Sequence, residues 1–441
     1  MMDLLAARTQ MAVSLGFHII FACIGMTMPF LMAVAHWRWL RTRDRLYLHL
    51  TKTWMRGVAI FFAMGAVSGT VLAFELGLLF PYFMEKAGPV IGLPFAWEGT
   101  AFFLEAIALG LYLYGWDRIN QWVHWAAGLS MGLFGVASAG FVLCANGWMN
   151  SPTGFRVEDG EWVDVDPVAA MFNPGALHEI LHMSLAAFVA TGFAVAGLHA
   201  LLVLRERQKR LHRAALRIAL AFGACAALLQ PISGDFSSKD VARRQPEKFA
   251  AMEALFETTR GAPLLIGGIP LEKERRVILG LHLPGWLSFL AHGDFEAEVT
   301  GLDRFPENQW PPVLVVHAGF QIMVGIGFLL LAVSVLYGFL RWKRPDGIGH
   351  PLFLRLLVLC GPLGFVAVEA GWVVTEVGRQ PWIVYHVMPV AGTVTPMPGL
   401  VVPLLVFSGI YAALTLVGGW LMVRQIKSLR GLTLPETEAG E

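Results

Sequence analysis

Nine runs of mostly apolar residues dominate this sequence, at about 10–35, 55–82, 94–115, 122–146, 177–204, 215–232, 312–340, 353–375 and 399–423. Crossing a bilayer takes roughly 20 such residues, and in lipid every backbone polar group must be satisfied within the protein. The pattern predicts an all-α, polytopic integral membrane protein with about nine transmembrane helices, the sixth being the shortest. Composition agrees, with 15% charged and 56% hydrophobic residues, against about 25% charged in soluble domains. The net charge of +1 points to no class of partner. The basic residues fall in short clusters between apolar runs, so nucleic acid is not expected as a partner. Cys23, Cys144, Cys225 and Cys360 all lie inside apolar runs without paired spacing, and are expected to pack rather than to bridge or bind zinc. The N-terminus lacks a basic segment before its apolar stretch, so Met11 to Ala35 is expected to be a retained span.

The segments between spans alternate in charge. Arg38, Arg41, Arg43, Arg45 and Lys52 separate the first two spans, and Arg205, Arg207, Lys209, Arg210 and Arg213 separate the fifth and sixth. Arg341, Lys343 and Arg344 follow the seventh, and Arg424, Lys427 and Arg430 follow the ninth. The short third-to-fourth loop, with Asp117 and Arg118, falls on the same side. The positive-inside rule makes that side cytoplasmic. The opposite loops include Glu158, Asp159, Glu161, Asp164 and Asp166. The expected topology has the N-terminus outside and the C-terminus in the cytoplasm. One membrane domain results, with spans in 1–232, an outer loop in 233–311, further spans in 312–425 and a cytoplasmic tail in 426–441. A loop of that length is usually functional or disordered. It contains a predicted short helix, Pro246 to Thr258, carrying Lys248 and Glu253, and an apolar patch, Pro263 to Pro270.

Ionisable residues inside spans are costly and usually mark function. His18 lies in the first span. Glu98 and Glu105 lie in the third, two helical turns apart and so on one face. His178, Glu179 and His182 open the fifth, and His317, Gln321 and Met323 lie in the seventh. Glu369 lies in the eighth, with Glu376 and Arg379 at its edge. The bland readings are a histidine bonded to a neighbouring helix, a packing methionine and an arginine that snorkels to the headgroups. Against them stands depth: His18, Glu98, Glu105, His182, Met323 and Glu376 are all expected in the outer half of the membrane. Imidazole, thioether and carboxylate are ligands of haem iron, and a His/Met pair is a low-spin, electron-transferring one. An ion channel would want polar residues through the full depth.

At these residues the chain resembles subunit I of the cytochrome bd family of quinol oxidases. The carriers are GRQPW with Glu376 before it, GFH at Gly16 to His18 and EGTAFFLE at Glu98 to Glu105. ANGWM at Ala145 to Met149, His182 after an NP pair, QIM ending in Met323, and KFAAME at Lys248 to Glu253 complete them. They cover nearly the whole chain in family order. The shorter outer loop and LDRFP at its end resemble the branch often called cyanide-insensitive. The resemblance implies that His182 and Met323 hold a low-spin haem b that receives electrons from quinol. It implies Lys248 and Glu253 as the quinol-oxidation residues. His18 and Glu376 would be axial residues of two high-spin haems, a haem b and a haem d (or a third haem b). Glu98 and Glu105 would bind the oxygen-reducing haem or deliver its protons, with Ser138 along a proton path. Arg8, Trp372, Arg379 and Gln321 would lie in the haem environment, with Arg379 suited to a propionate. Family members carry an Arg where this chain has Gln321, and more often separate the two acids by eight residues rather than seven.

The implied activity is electrogenic oxidation of quinol and reduction of O2 to water in a bacterial cytoplasmic (inner) membrane. The implied partners are subunit II, a possible small single-span subunit and the lipid bilayer. A haem-bearing family member with another acceptor or a sensory role, and a haem-free transporter, are the alternatives.

Overall fold

A computed structural model describes residues 2–205 and 209–428. Nine helical segments among the described residues are long and apolar enough to cross a membrane. The first four are α1 (Met2–Thr42), α2 (Arg45–Leu79), α3 (Pro81–Tyr114) and α4 (Gln121–Asn150). A small hairpin of β1 (Arg156–Glu158) and β2 (Glu161–Val163) follows, then α5 (Pro167–Met171), α6 (Ala176–Leu204) and α7 (Lys209–Arg244). The outer loop holds α8 (Pro246–Met252), β3 (Thr259–Arg260), β4 (Leu264–Leu271), β5 (Arg276–Leu283), α9 (Trp286–His292) and β6 (Glu298–Val299). The remainder is α10 (Val313–Lys343), α11 (Pro351–Cys360), α12 (Leu363–Val377), β7 (Trp382–Val384), β8 (Met388–Pro389) and α13 (Val401–Ser428).

Local chemistry sets the breaks. Asp44 accepts from the Leu46 amide at the start of α2, and Asn120 accepts from the Trp122 amide at the start of α4. Both are side-chain caps on otherwise orphaned donors. Pro81 opens α3, where its missing N–H costs nothing. Close helix approach relies on small residues: a Cβ on Gly192 of α6 would stand 2.7 Å from the Gly223 backbone of α7. Such small-residue contacts let apolar helices pack without a hydrophobic driving force.

Two boundaries differ from those expected. The sixth span does not end at 232 but runs on to Arg244. Ion pairs spaced i,i+4, Lys239 with Asp235 and Arg244 with Asp240, both at 2.7 Å, carry the helix through its polar end. The loop helix expected to reach Thr258 stops at Met252, because Ala254 turns left-handed at φ +51°. The apolar patch at 263–270 is strand β4, paired antiparallel with β5. The tail expected at 426–441 lies outside the described residues from 429 onward.

Candidate functional site

The end of the bundle that carries the loop holds a buried charged network. Asn146 and Asn150 sit one turn apart at the end of α4. Asn146 donates to a Glu376 oxygen at 2.7 Å, and the Arg379 guanidinium donates to the other at 2.6 Å. Asn150 Oδ1 accepts from Lys248 Nζ at 2.9 Å, from Gln245 at 3.1 Å and from Arg379 at 3.4 Å. Its amide donates to Glu179 at 3.3 Å. Arg379 is 2% exposed, and its Nε has no partner. Beside it Arg8 donates to Gln380 at 2.9 Å. Burial, then the Arg379 charge, pulls the Lys248 ammonium below its ordinary range, against the attraction of Glu179 and Glu376.

Glu253 follows α8 and is 5% exposed, with Oε2 unpartnered. Burial pushes its carboxyl up to about 8. His317 of α10 fixes this segment, one ring nitrogen 2.8 Å from the Met252 carbonyl and the other 3.1 Å from that of Gly267. Glu247 of the same helix bonds the Tyr385 hydroxyl and, at 2.8 Å, His386. Burial and then Glu247 push the Tyr385 phenol above its ordinary range.

Deeper in the bundle, His18 Nδ1 lies 2.9 Å from Ser68 Oγ, and Gly69 leaves room for the ring, since a Cβ there would stand 3.0 Å from Cε1. His182 faces Ser233 at 3.2 Å and Gln230 at 3.3 Å. Met323 Sδ fills the space beside Gly371, where a Cβ would come within 2.8 Å. Trp372 packs among Ile19, Cys23 and Val368. Glu98 accepts from Ser138 at 3.0 Å. Glu105 is buried, facing Gly25 and Gly135. Glu369 lies over Gly16, with Oε1 unpartnered.

Glu105 lies about 10 Å further along α3 than Glu98, seven residues at 1.5 Å each, and so closer to the Tyr114 end. One expectation needs correction. Gln321 does not face the groups around Met323. Its carbonyl accepts from the Gly267 amide at 2.9 Å and its amide donates to the Leu265 carbonyl at 3.0 Å. It fastens β4 to α10. His178, one turn before His182, is held by Ser237 and Asp240 on α7.

Sequence reasoning gave no role to Asn146, Asn150, Glu247, Tyr385 or His386. The motif ANGWM holds Asn146, but nothing local announces its contact with Glu376, 230 residues away.

The residue set fits a haem-type group on donor chemistry: two imidazoles, a thioether, carboxylates, and a buried arginine with a free N–H suited to an anionic side arm. Glu376 has both oxygens engaged, whereas Glu369 has one free.

Fold and site together define a multi-span membrane protein built around buried imidazole, thioether and carboxylate groups. Residues 6–429 match the sequence profile of cytochrome bd terminal oxidase subunit I, and the chain belongs to that family. It is 36% identical over 417 residues to the putative cytochrome bd menaquinol oxidase subunit I of Bacillus subtilis, covering 93% of this chain and 94% of that one. It is 30% identical over 442 residues to the cytochrome bd ubiquinol oxidase subunit 1 of the same organism, covering 97% and 94%. The fold matches the solved bd oxidase of Geobacillus thermodenitrificans with a TM-score of 0.91 at 37% identity, covering 97% of this chain and 98% of that one.

Proposed function

We propose that this chain is the haem-bearing subunit of a terminal quinol oxidase in a bacterial cytoplasmic membrane, with N-terminus outside and C-terminus inside. It oxidises quinol at the outer face, reduces O2 to water and builds proton motive force without pumping. The observation that carries this reading is the burial of Lys248, from the loop helix, in one network with Glu376 and Arg379 of the family motif. The relatives are named for menaquinol and for ubiquinol oxidation, so quinol is the shared substrate class.

In this reading His182 and Met323 hold a low-spin haem b. His18 and Glu376 serve two high-spin haems, one b and one d or a third b. Arg379 pairs with a propionate, and Arg8 and Trp372 complete the surroundings. Bound haem supplies one-electron chemistry and an O2 site.

The protein's own groups manage protons and position. Lys248 and Glu253 receive the quinol at the outer end. Glu253 above about pH 8 is a carboxylate able to accept a proton from a quinol hydroxyl. Protons for water formation come from the opposite side through Glu105 and Glu98, with Ser138 on the way. The position of Glu105 nearer the Tyr114 end supports that direction. Carrying a proton charge across the bilayer stores about 2.3 kcal/mol per 100 mV, so the separation of the two ends makes turnover electrogenic. A second membrane subunit covers part of the exposed apolar surface, and a small single-span subunit is a further expected partner.

A reduced-minus-oxidised spectrum of the purified complex tests the reading: b-type bands are expected, with a red chlorin band if haem d is present. A colourless protein, as for a transporter, refutes it. Glu105→Gln should lower O2 consumption by about 10² to 10⁴-fold, the weight of a positioned acid, while quinol still reduces the haems. Unchanged turnover would sink the proton role.

A further inference from the structure

The β4–β5 hairpin stands against the side of a span rather than on top of the bundle. Gln321 and His317 of α10 both hold β4 at Leu265 and Gly267. Gln321 lies eight residues inside α10, which begins at Val313, so this contact sits about 12 Å along the helix axis. The charged tip of the hairpin stays level with the helix start: Glu272 accepts from the Leu314 amide, and Arg275 pairs with Glu307 at 2.6 Å. The hairpin thus runs beside the first two turns of a membrane helix, charged at its upper end and, apart from the exposed His282, apolar below.

Its outward face has no cover from this chain. Ile266 and Leu281 are directly paired across the strands, and both are exposed, as is Ile269. Leu279 is 86% exposed in a left-handed conformation, φ +58°, opposite the left-handed pair Gly267 and Gly268. Left-handed backbone is unfavourable for a leucine, and here it aims the side chain away from the protein. Trp286, just beyond the hairpin, is also exposed. Beside β4, the outer side of α10 continues this apolar surface through Leu314, Val315 and Ile322.

We propose that this face dips into the outer leaflet of the bilayer, with Leu279, Leu281, Ile266 and Ile269 among the upper acyl chains and the 272–276 tip among the headgroups. Three observations favour phospholipid over another occupant. The face is continuous with the outer side of a span at the same level. Its polarity changes along the axis as the interface does. A tryptophan flanks it, as at membrane–water boundaries. The inference does not depend on which substrate Glu253 meets. It gives the loop a second anchor: His317 ties the Met252 carbonyl, next to Glu253, to the same strand that lipid holds from outside.

Depth-dependent quenching tests it. Leu279→Cys in a Cys225→Ser background is labelled with bimane in the whole purified complex, in nanodiscs. Lipids brominated high on the acyl chain should remove at least half of the emission, while aqueous iodide removes little. The same label at Glu158, in the exposed β1–β2 hairpin, should respond the opposite way. Quenching of position 279 by iodide as strong as at 158 overturns the proposal. So does protection from both quenchers, which would mean that a protein subunit covers the face. If the Leu279 variant fails to assemble, Ile266→Cys carries the same reading, being directly paired with Leu281 on the same face.

Discussion

The loop end and the middle of the bundle hold their ionisable groups in contrasting ways. At the loop end charges are paired side by side: Glu376 has a partner on each oxygen, and Lys248 and Arg379 share Asn150. In the middle, carboxyls lie against glycine-lined walls. Glu369 stands over Gly16 with an oxygen free, and Glu105 faces Gly25 and Gly135. A buried polar group without a partner raises the free energy until something arrives to pair with it. The loop end is therefore a preorganised charge holder, most of whose cost is met by its own residues, with Arg379 Nε and one Glu179 oxygen left without a partner. The middle leaves a buried carboxyl oxygen of Glu369 without a partner.

Removing Arg379 should break this contrast most sharply. Arg379→Ala takes the charged partner from Glu376, which is itself 26% exposed, so the cost should approach but not exceed the about 3–5 kcal/mol of splitting a fully buried pair. The expected outcome is a large drop in thermal midpoint together with loss of bound haem, read by melting and by pyridine haemochrome content. Arg379→Lys should recover part of the midpoint, since charge returns without the planar fork. An unchanged midpoint in Arg379→Ala would show that the network tolerates an unpaired carboxylate, and the loop end would then resemble the middle.

Glu253 sharpens the comparison, because it lies beside the paired network yet lacks a partner for Oε2. Its carboxyl is raised from 4.5 to about 8 by burial. A group raised in the folded state contributes stability that is fully present below its unfolded value and lost as pH rises through the folded one. The α8 segment should therefore loosen as pH rises from about 4.5 to about 8. Hydrogen exchange over Pro246–Met252, corrected for intrinsic rates, reads this directly. Glu253→Gln, which keeps the neutral shape, should abolish the pH dependence. A wild-type segment equally protected at both pH values would place Glu253 with the paired groups instead.

Much of this organisation is written locally. The spans announce themselves because twenty apolar residues in a row have few alternatives in water or lipid. His18, Glu98 and Glu369 stand out because polar groups in such runs are expensive. What escapes local reading is whatever depends on helices meeting. The polar end of the sixth span reads as loop, because its helix is held by ion pairs rather than by apolar residues. The bond of His386 to Glu247 joins residues 139 apart, with no sequence signal at either. Gln321 misleads for a geometric reason. It is two residues from Met323, and positions i and i+2 on a helix point to different sides.

That misreading yields the smallest effect and the finest test of how the loop end is fastened. Gln321 uses both ends of its amide on the backbone of β4. Neutral hydrogen bonds of this kind contribute about 1 kcal/mol each, so Gln321→Ala should weaken the attachment of β4 by about 1–2 kcal/mol. The weakening should appear as faster exchange confined to Leu264–Leu271 and the paired Arg276–Leu283, with haem spectra unchanged. His317 remains as a second tie at Gly267, so the strand should loosen without detaching. Gln321→Arg supplies donors but no acceptor, and so should restore the bond to the Leu265 carbonyl while leaving the Gly267 amide free. A shift in the haem spectrum or potential in either variant would instead return Gln321 to the cofactor environment. It would also show that the strand and the deep site are coupled through α10.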